Sequence, residues 1–217
     1  MSRLVGQLNS NNEEKAKHAA SLLDRLLYPN YGPGPRTVSA TESQQIRDRH
    51  YGALRGSVVL DPVLKAARHG KPFARVYALT ALACIGDMRA LPLAIEAMED
   101  GSPLVRRAAA RCLSLLHQPS ATPCLILALN DSDPEVRCSA ASALGYLGAW
   151  DAVPELMSFF ERGDSNDKAA ALHALGVLAD TRSLPLVRSS LVHKDRKVRK
   201  AAKSALASFD MKRRFPT

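Results

Sequence analysis

Four prolines, Pro92, Pro123, Pro154 and Pro185, stand 31 residues apart, and no other feature restricts the fold of this chain more. The same ruler carries a basic residue at Arg75, Arg106, Arg137, Lys168 and Arg199. It carries an alanine at Ala78, Ala109, Ala140, Ala171 and Ala202, and a leucine at Leu82, Leu113, Leu144, Leu175 and Leu206. Four columns keeping one spacing without an insertion define an internal repeat, and repeats of this length specify stacked supersecondary units.

Each unit reads as two helices. In SDPEVRCSAASALGYLG, Ser132 or Asp133 is placed to cap a first helix with Pro134 in its first turn. Val136, Ala140, Ala143, Leu144 and Leu147 then recur at spacings of three and four, which makes one apolar stripe. Gly148 stops that helix, as Gly86 does two units earlier. A second helix is predicted to start around Asp151 to Pro154, where the missing N–H of proline removes no intrahelical bond. Its buried stripe is predicted to be Val153, Leu156, Met157 and Phe160, and the turn Arg162 to Ser165 leads to the next unit. A hairpin of 31 residues cannot bury both faces alone, so each unit needs neighbours.

The stretch DPEVRCSAASALGYLGAWDAVPEL at 133–156 resembles the HEAT-like repeat of the phycobilisome-lyase type, and the resemblance extends over roughly residues 73–209. It implies an all-α fold, an α-α superhelix (a HEAT-like solenoid) of about five to six helix pairs with an N-terminal helix. The expected organisation is a capping helix and Pro/Gly loop over 1–43, a degenerate helix pair over 44–72, the repeats over 73–209, and a basic tail over 210–217. In repeats of this type the basic column looks structural, a bridge to an acidic group of a neighbouring turn such as Asp131, Asp133 or Asp164. HEAT arrays serve many unrelated roles, so the resemblance speaks to fold more than to function.

Charge separates the ends from the array. Residues 1–72 sum to +5, residues 73–187 to −4 and residues 188–217 to +8. At the C-terminal end, Lys194, Arg196, Lys197, Lys200 and Lys203 are left for solvent while Val198, Ala201, Ala202, Ala205 and Leu206 form the buried side. Terminal repeats need a polar outer face, which accounts for much of this charge. At the other end, residues 13–28 fit an amphipathic helix, followed by the Pro/Gly/Ser-rich stretch 29–43 with Tyr31 and Arg36; Tyr28 and Tyr31 are candidate partner contacts. Cys84, Cys112, Cys124 and Cys138 show no CxxC pair, the N-terminus lacks an apolar h-region, and no apolar run reaches membrane-spanning length. A cytoplasmic protein with reduced, inert thiols and no membrane association is expected.

Catalytic patterns are sparse. The histidines form no i, i+4 pair, and the absent His-Glu dipeptide argues against the HEAT-repeat hydroxylases that hold a di-iron centre through such pairs. There is no phosphate-binding glycine loop and no nucleophile elbow. No catalytic residue, metal ligand or cofactor is therefore assigned. The resemblance implies that second helices line the concave surface, where Glu155, Phe159 and Arg162 fall outside the predicted stripe. Phe159 replaces Ala97 and Ala128 of earlier units and is expected to be an exposed apolar spot beside Phe160. Trp150 occupies the turn before the second helix and is a candidate hot spot.

The sequence thus predicts a non-enzymatic scaffold or adaptor that binds a protein partner through Trp150, Phe159, Glu155, Arg162, Tyr28 and Tyr31. The resemblance implies an alternative, a bilin lyase subunit or a phycobilisome maturation or degradation factor, with a bilin or a phycobiliprotein as partner. A third reading, nucleic-acid binding through the basic ends, lacks a recognition motif and interleaved aromatic residues.

Overall fold

The computed structural model describes Gln7 and residues 60–214. The helix expected over 13–28, the loop over 29–43 with Tyr28, Tyr31 and Arg36, and the segment 44–59 lie outside the described residues. Among the described residues regular structure is helical throughout, with no strand. The chain divides between Leu116 and His117 into two compact units.

In the first unit, α1 (Asp61–His69), α2 (Pro72–Ile85), α3 (Ala90–Ala97) and α4 (Pro103–Leu116) are joined by short turns. Helix α2 packs on both α1 and α4, and α3 lies against α4. The repeat columns form the core, with Ala78, Leu79, Leu82, Ala109, Ala110 and Leu113 sealed from solvent.

The second unit contains α5 (Thr122–Ala128), α6 (Pro134–Leu147), α7 (Val153–Arg162), α8 (Ser165–Leu178), α9 (Leu184–Ser189) and α10 (Arg196–Arg214). Single 3-10 turns at Pro119–Ala121, Trp150–Ala152 and Thr181–Ser183 lead into α5, α7 and α9. The first helices α6, α8 and α10 pack side by side, and α5, α7 and α9 each pack on the first helix that follows. Small residues set that spacing. A Cβ on Gly176 would lie 2.7 Å from the Cα of Ala205, and one on Gly145 would lie 2.9 Å from the Cα of Ala174. Only glycine lets the helices meet at that distance.

Helix ends repeat as faithfully as helix interiors. Asp133 accepts from the amides of Glu135 and Val136, and Asp164 accepts from Asn166 and Asp167. At the other end a left-handed residue recurs on the same ruler: Gly86, His117, Gly148 and Ala179 have φ of 74°, 51°, 71° and 50°. The turn conformation is held even where glycine is absent.

The basic column latches the turns. Arg106 Nη1 donates to the Asp100 carbonyl at 2.8 Å, Arg137 Nη1 to the Asp131 carbonyl at 3.1 Å, and Arg199 Nη1 to the carbonyls of His193 and Lys194, both at 2.7 Å. Lys168 Nζ reaches the carbonyls of Phe160 and Gly163 at 2.6 and 2.8 Å. Each cation thereby satisfies carbonyls left open where the preceding second helix ends. The main acidic partner, Asp167, lies outside the expected set, and the expected Asp164 is a secondary one. Arg137 binds the Asp167 carboxylate through Nε at 3.1 Å and Nη2 at 3.0 Å, while Asp164 is 4.0 Å away and Asp133 is committed to its N-cap.

Two further expectations are corrected. Phe159 is 1% exposed and Met157 is half-exposed, so the buried stripe of α7 runs through Val153, Leu156, Phe159 and Phe160. Leu206 and Ala201 are half-exposed, because no second helix follows α10 among the described residues to cover them. Helix α10 itself continues to Arg214, into the stretch expected to be a basic tail.

Candidate partner-binding surface

The outer side of the second unit carries aromatic rings that solvent reaches. Trp150 is 53% exposed, and it is fixed rather than loose. Gly148 turns the chain in the left-handed conformation, and the 3-10 turn then directs the indole toward the C-terminal end of α8. There Nε1 donates to the Leu178 carbonyl at 3.2 Å. The Lys212 ammonium donates to that same carbonyl at 3.0 Å and sits 5.4 Å from the indole centroid, a cation–π contact. Arg182, ion-paired with Asp180, donates to the Trp150 carbonyl at 2.9 Å.

Tyr146, 54% exposed in the last turn of α6, meets His173 of α8 edge to face at 5.7 Å. Desolvation beside the Tyr146 ring lowers the His173 pKa below its ordinary value, although part of the side chain stays exposed. Val177, one turn beyond His173, is also exposed. The C-terminal half of α8 therefore gathers Tyr146 and Trp150 from the preceding repeat and Lys212 from the following helix. Rigid, half-exposed aromatic side chains with a polar handle form the usual anchors of a protein interface, because little conformational freedom remains to be lost on binding.

The remaining sequence candidates fall elsewhere. Glu155, in the first turn of α7, is half-buried, and its Oε2 has no hydrogen-bond partner among the described residues. Arg162 is exposed at the opposite end of α7, where it donates to Asn130 at 2.9 Å and to Ser158 at 3.0 Å and lies 5.6 Å from the Phe159 centroid. Phe159 is the floor under that guanidinium, not an exposed spot. Its counterparts Ala97, Ala128 and Ser190 are all buried, which was the sequence signal for its burial. Tyr146 and Val177 were missed because the first helices were read for their packing stripe alone.

The surroundings of two cysteines hold their thiols protonated. Burial pushes the Cys112 thiol up to about 12, and burial followed by the Asp167 charge pushes Cys138 up to about 11. Among the described residues, no group of three His, Cys, Asp or Glu side chains is placed to hold a metal ion, and no helix is long and apolar enough to cross a membrane.

Comparison with solved structures finds the same architecture repeatedly. The CpcE–CpcF complex of phycocyanin lyase from Nostoc sp. PCC7120 aligns at TM-score 0.61 and 23% identity, over 96% of this chain and 77% of that one. A designed armadillo repeat protein in complex with the peptide (KR)4 aligns at TM-score 0.60 and 18% identity, over 96% and 98%. Human deoxyhypusine hydroxylase in complex with glycerol aligns at TM-score 0.51 and 16% identity, over 96% and 95%. At these identities the likeness is one of fold, an all-α helical-repeat solenoid. No curated protein matches the chain. The family model for HEAT repeats matches residues 60–128 and 122–207, more than half of the chain. Its 31-residue units, capped, latched and stacked as described, make this chain a member of the HEAT-repeat family.

Proposed function

We propose that this protein is a helical-repeat scaffold or adaptor, working in the cytoplasm, whose second unit binds a protein partner through the Trp150 edge. The observation that carries the reading is the state of Trp150: half-exposed, yet held by the Leu178 carbonyl, Lys212 and Arg182. A large ring kept in one orientation at the surface does little for folding and much for association. Tyr146 extends the surface, and the exposed Arg162 supplies a second contact on α7. Affinity purification from the native cell with wild type and with Trp150→Ala/Tyr146→Ala tests it. Loss of at least one partner is expected, with the helical content retained and the melting temperature only modestly lowered. An identical set of partners from both proteins contradicts it.

A second reading follows from the repeat type and from the likeness to the phycocyanin lyase complex: a bilin lyase subunit, or a phycobilisome maturation or degradation factor, that holds an open-chain tetrapyrrole and a phycobiliprotein. Phycocyanobilin added to micromolar protein would then change its visible absorbance. An unchanged spectrum rejects this reading and leaves the scaffold reading standing.

A further inference from the structure

Helix α10 carries Arg196, Lys200 and Lys203 at i, i+4 and i+7, and Ala207 and Met211 continue the same line. All five are exposed, on the side opposite the buried Val198, Ala202, Ala205 and Phe209. None of the three cations makes a hydrogen bond or ion pair among the described residues, whereas Arg199 is held by carbonyls and Lys197 by Asn166.

The repeat identifies what this face is. On the 31-residue ruler Lys203 stands where α8 and α6 bury Leu172 and Ala141, and Ala207 stands where they bury Gly176 and Gly145. Those are the positions at which one first helix receives the next. Helix α10 thus presents a stacking face on which a buried leucine or alanine has become lysine, and a further repeat of this type would have to bury that charge.

Solubility alone asks for mixed signs, not for cations only. Like charges at i, i+4 repel, and Arg196, Lys197 and Arg199 crowd the first turn against the helix dipole, offset only by the Asp195 carboxylate just before the helix, which accepts from the Lys197 amide. An anionic partner relieves both penalties.

We propose that this face docks an acidic helical segment of a partner protein. Its carboxylates, spaced like the cations, meet Arg196, Lys200 and Lys203, and an apolar side chain covers Ala207 and Met211. The small Ala207 allows close helix approach. No aromatic ring stands among the cations to stack a base, which favours a protein helix over nucleic acid. This surface is separate from the Trp150 edge, and its loss would leave the scaffold reading intact.

A displayed library of helical peptides with glutamate fixed at i, i+4 and i+7 and varied apolar positions, selected on the full chain beside a lysine-fixed library, tests the proposal. The acidic library should yield binders that weaken about tenfold or more on Lys200→Glu/Lys203→Glu, and less so on Arg196→Gln, with affinity falling as salt rises. The doubly reversed variant should instead select lysine-fixed peptides. The proposal is overturned if the acidic library yields no more than the lysine library, or if its binders ignore the double variant. It is equally overturned if duplex DNA displaces them and loses affinity at the same two substitutions.

Discussion

Asp167 occupies a column that otherwise reads Ala74, Val105, Val136 and Val198, and it is 4% exposed. The two N–H groups that Arg137 directs at its carboxylate, and its place in the capping box with Asp164, make a charge tolerable there. Asp167→Ala leaves Arg137 with carbonyl partners and the more distant Asp164 carboxylate, and is expected to destabilise the second unit by about 2 kcal/mol in chemical denaturation. Asp167→Val restores the apolar column and should recover at least half of that loss. Ala179 is the complementary case, a non-glycine residue at φ 50° where Gly148 stands one unit earlier. Ala179→Gly should stabilise by about 0.5–1 kcal/mol, the left-handed strain relieved exceeding the added freedom of the unfolded chain. The sequence displayed both residues as departures from their columns, but the partner of Asp167 was legible only once α6 and α8 were side by side. Phe159 shows the opposite failure. Its bulk suggested exposure, while the small residues in its column marked an interior position that α7 fills with a ring.

At the scale of elements, the helices depend on their contacts and their ends. Gly176→Ala forces α8 and α10 apart against backbone and is expected to cost about 1–3 kcal/mol, while alanine at the exposed Gly101, which meets no atom within 4 Å, should not. The caps give stability a pH dependence of known sign. Backbone N–H donors hold the Asp164 pKa below its ordinary value, the Ser165 hydroxyl does so for Asp195, and Arg182 does so for Asp180. A carboxylate with a depressed folded pKa stabilises above its unfolded pKa and loses that contribution as pH falls through the folded one. His173, also lowered, is favoured neutral in the fold, so its contribution is likewise lost on acidification. The melting temperature should therefore fall first as pH drops below about 6.5, from His173, and again below about 4, from the aspartates. His173→Gln should remove the upper step alone. A melting temperature that rises on acidification through either range contradicts these assignments.

For the molecule as a whole, the period accounts for architecture and its departures point to binding. The columns of proline, alanine and leucine were enough to read helix pairs and their core, because burial in stacked units follows the ruler. The Trp150 edge was half legible. The tryptophan stood out in its column of Met88, Pro119 and Thr181, but its anchoring by Leu178 and Lys212 joins residues 28 and 34 positions away from each other in sequence. Tyr146 belonged to a helix whose outer face carried no sequence signal. The sequence contains a single tryptophan, so its emission reports on this edge alone. Mixing the purified protein with a partner recovered from the native cell should blue-shift the Trp150 emission and protect it from iodide quenching, the partner being followed by a label of its own. A complex that forms with Trp150 emission and iodide access unchanged would contradict the account.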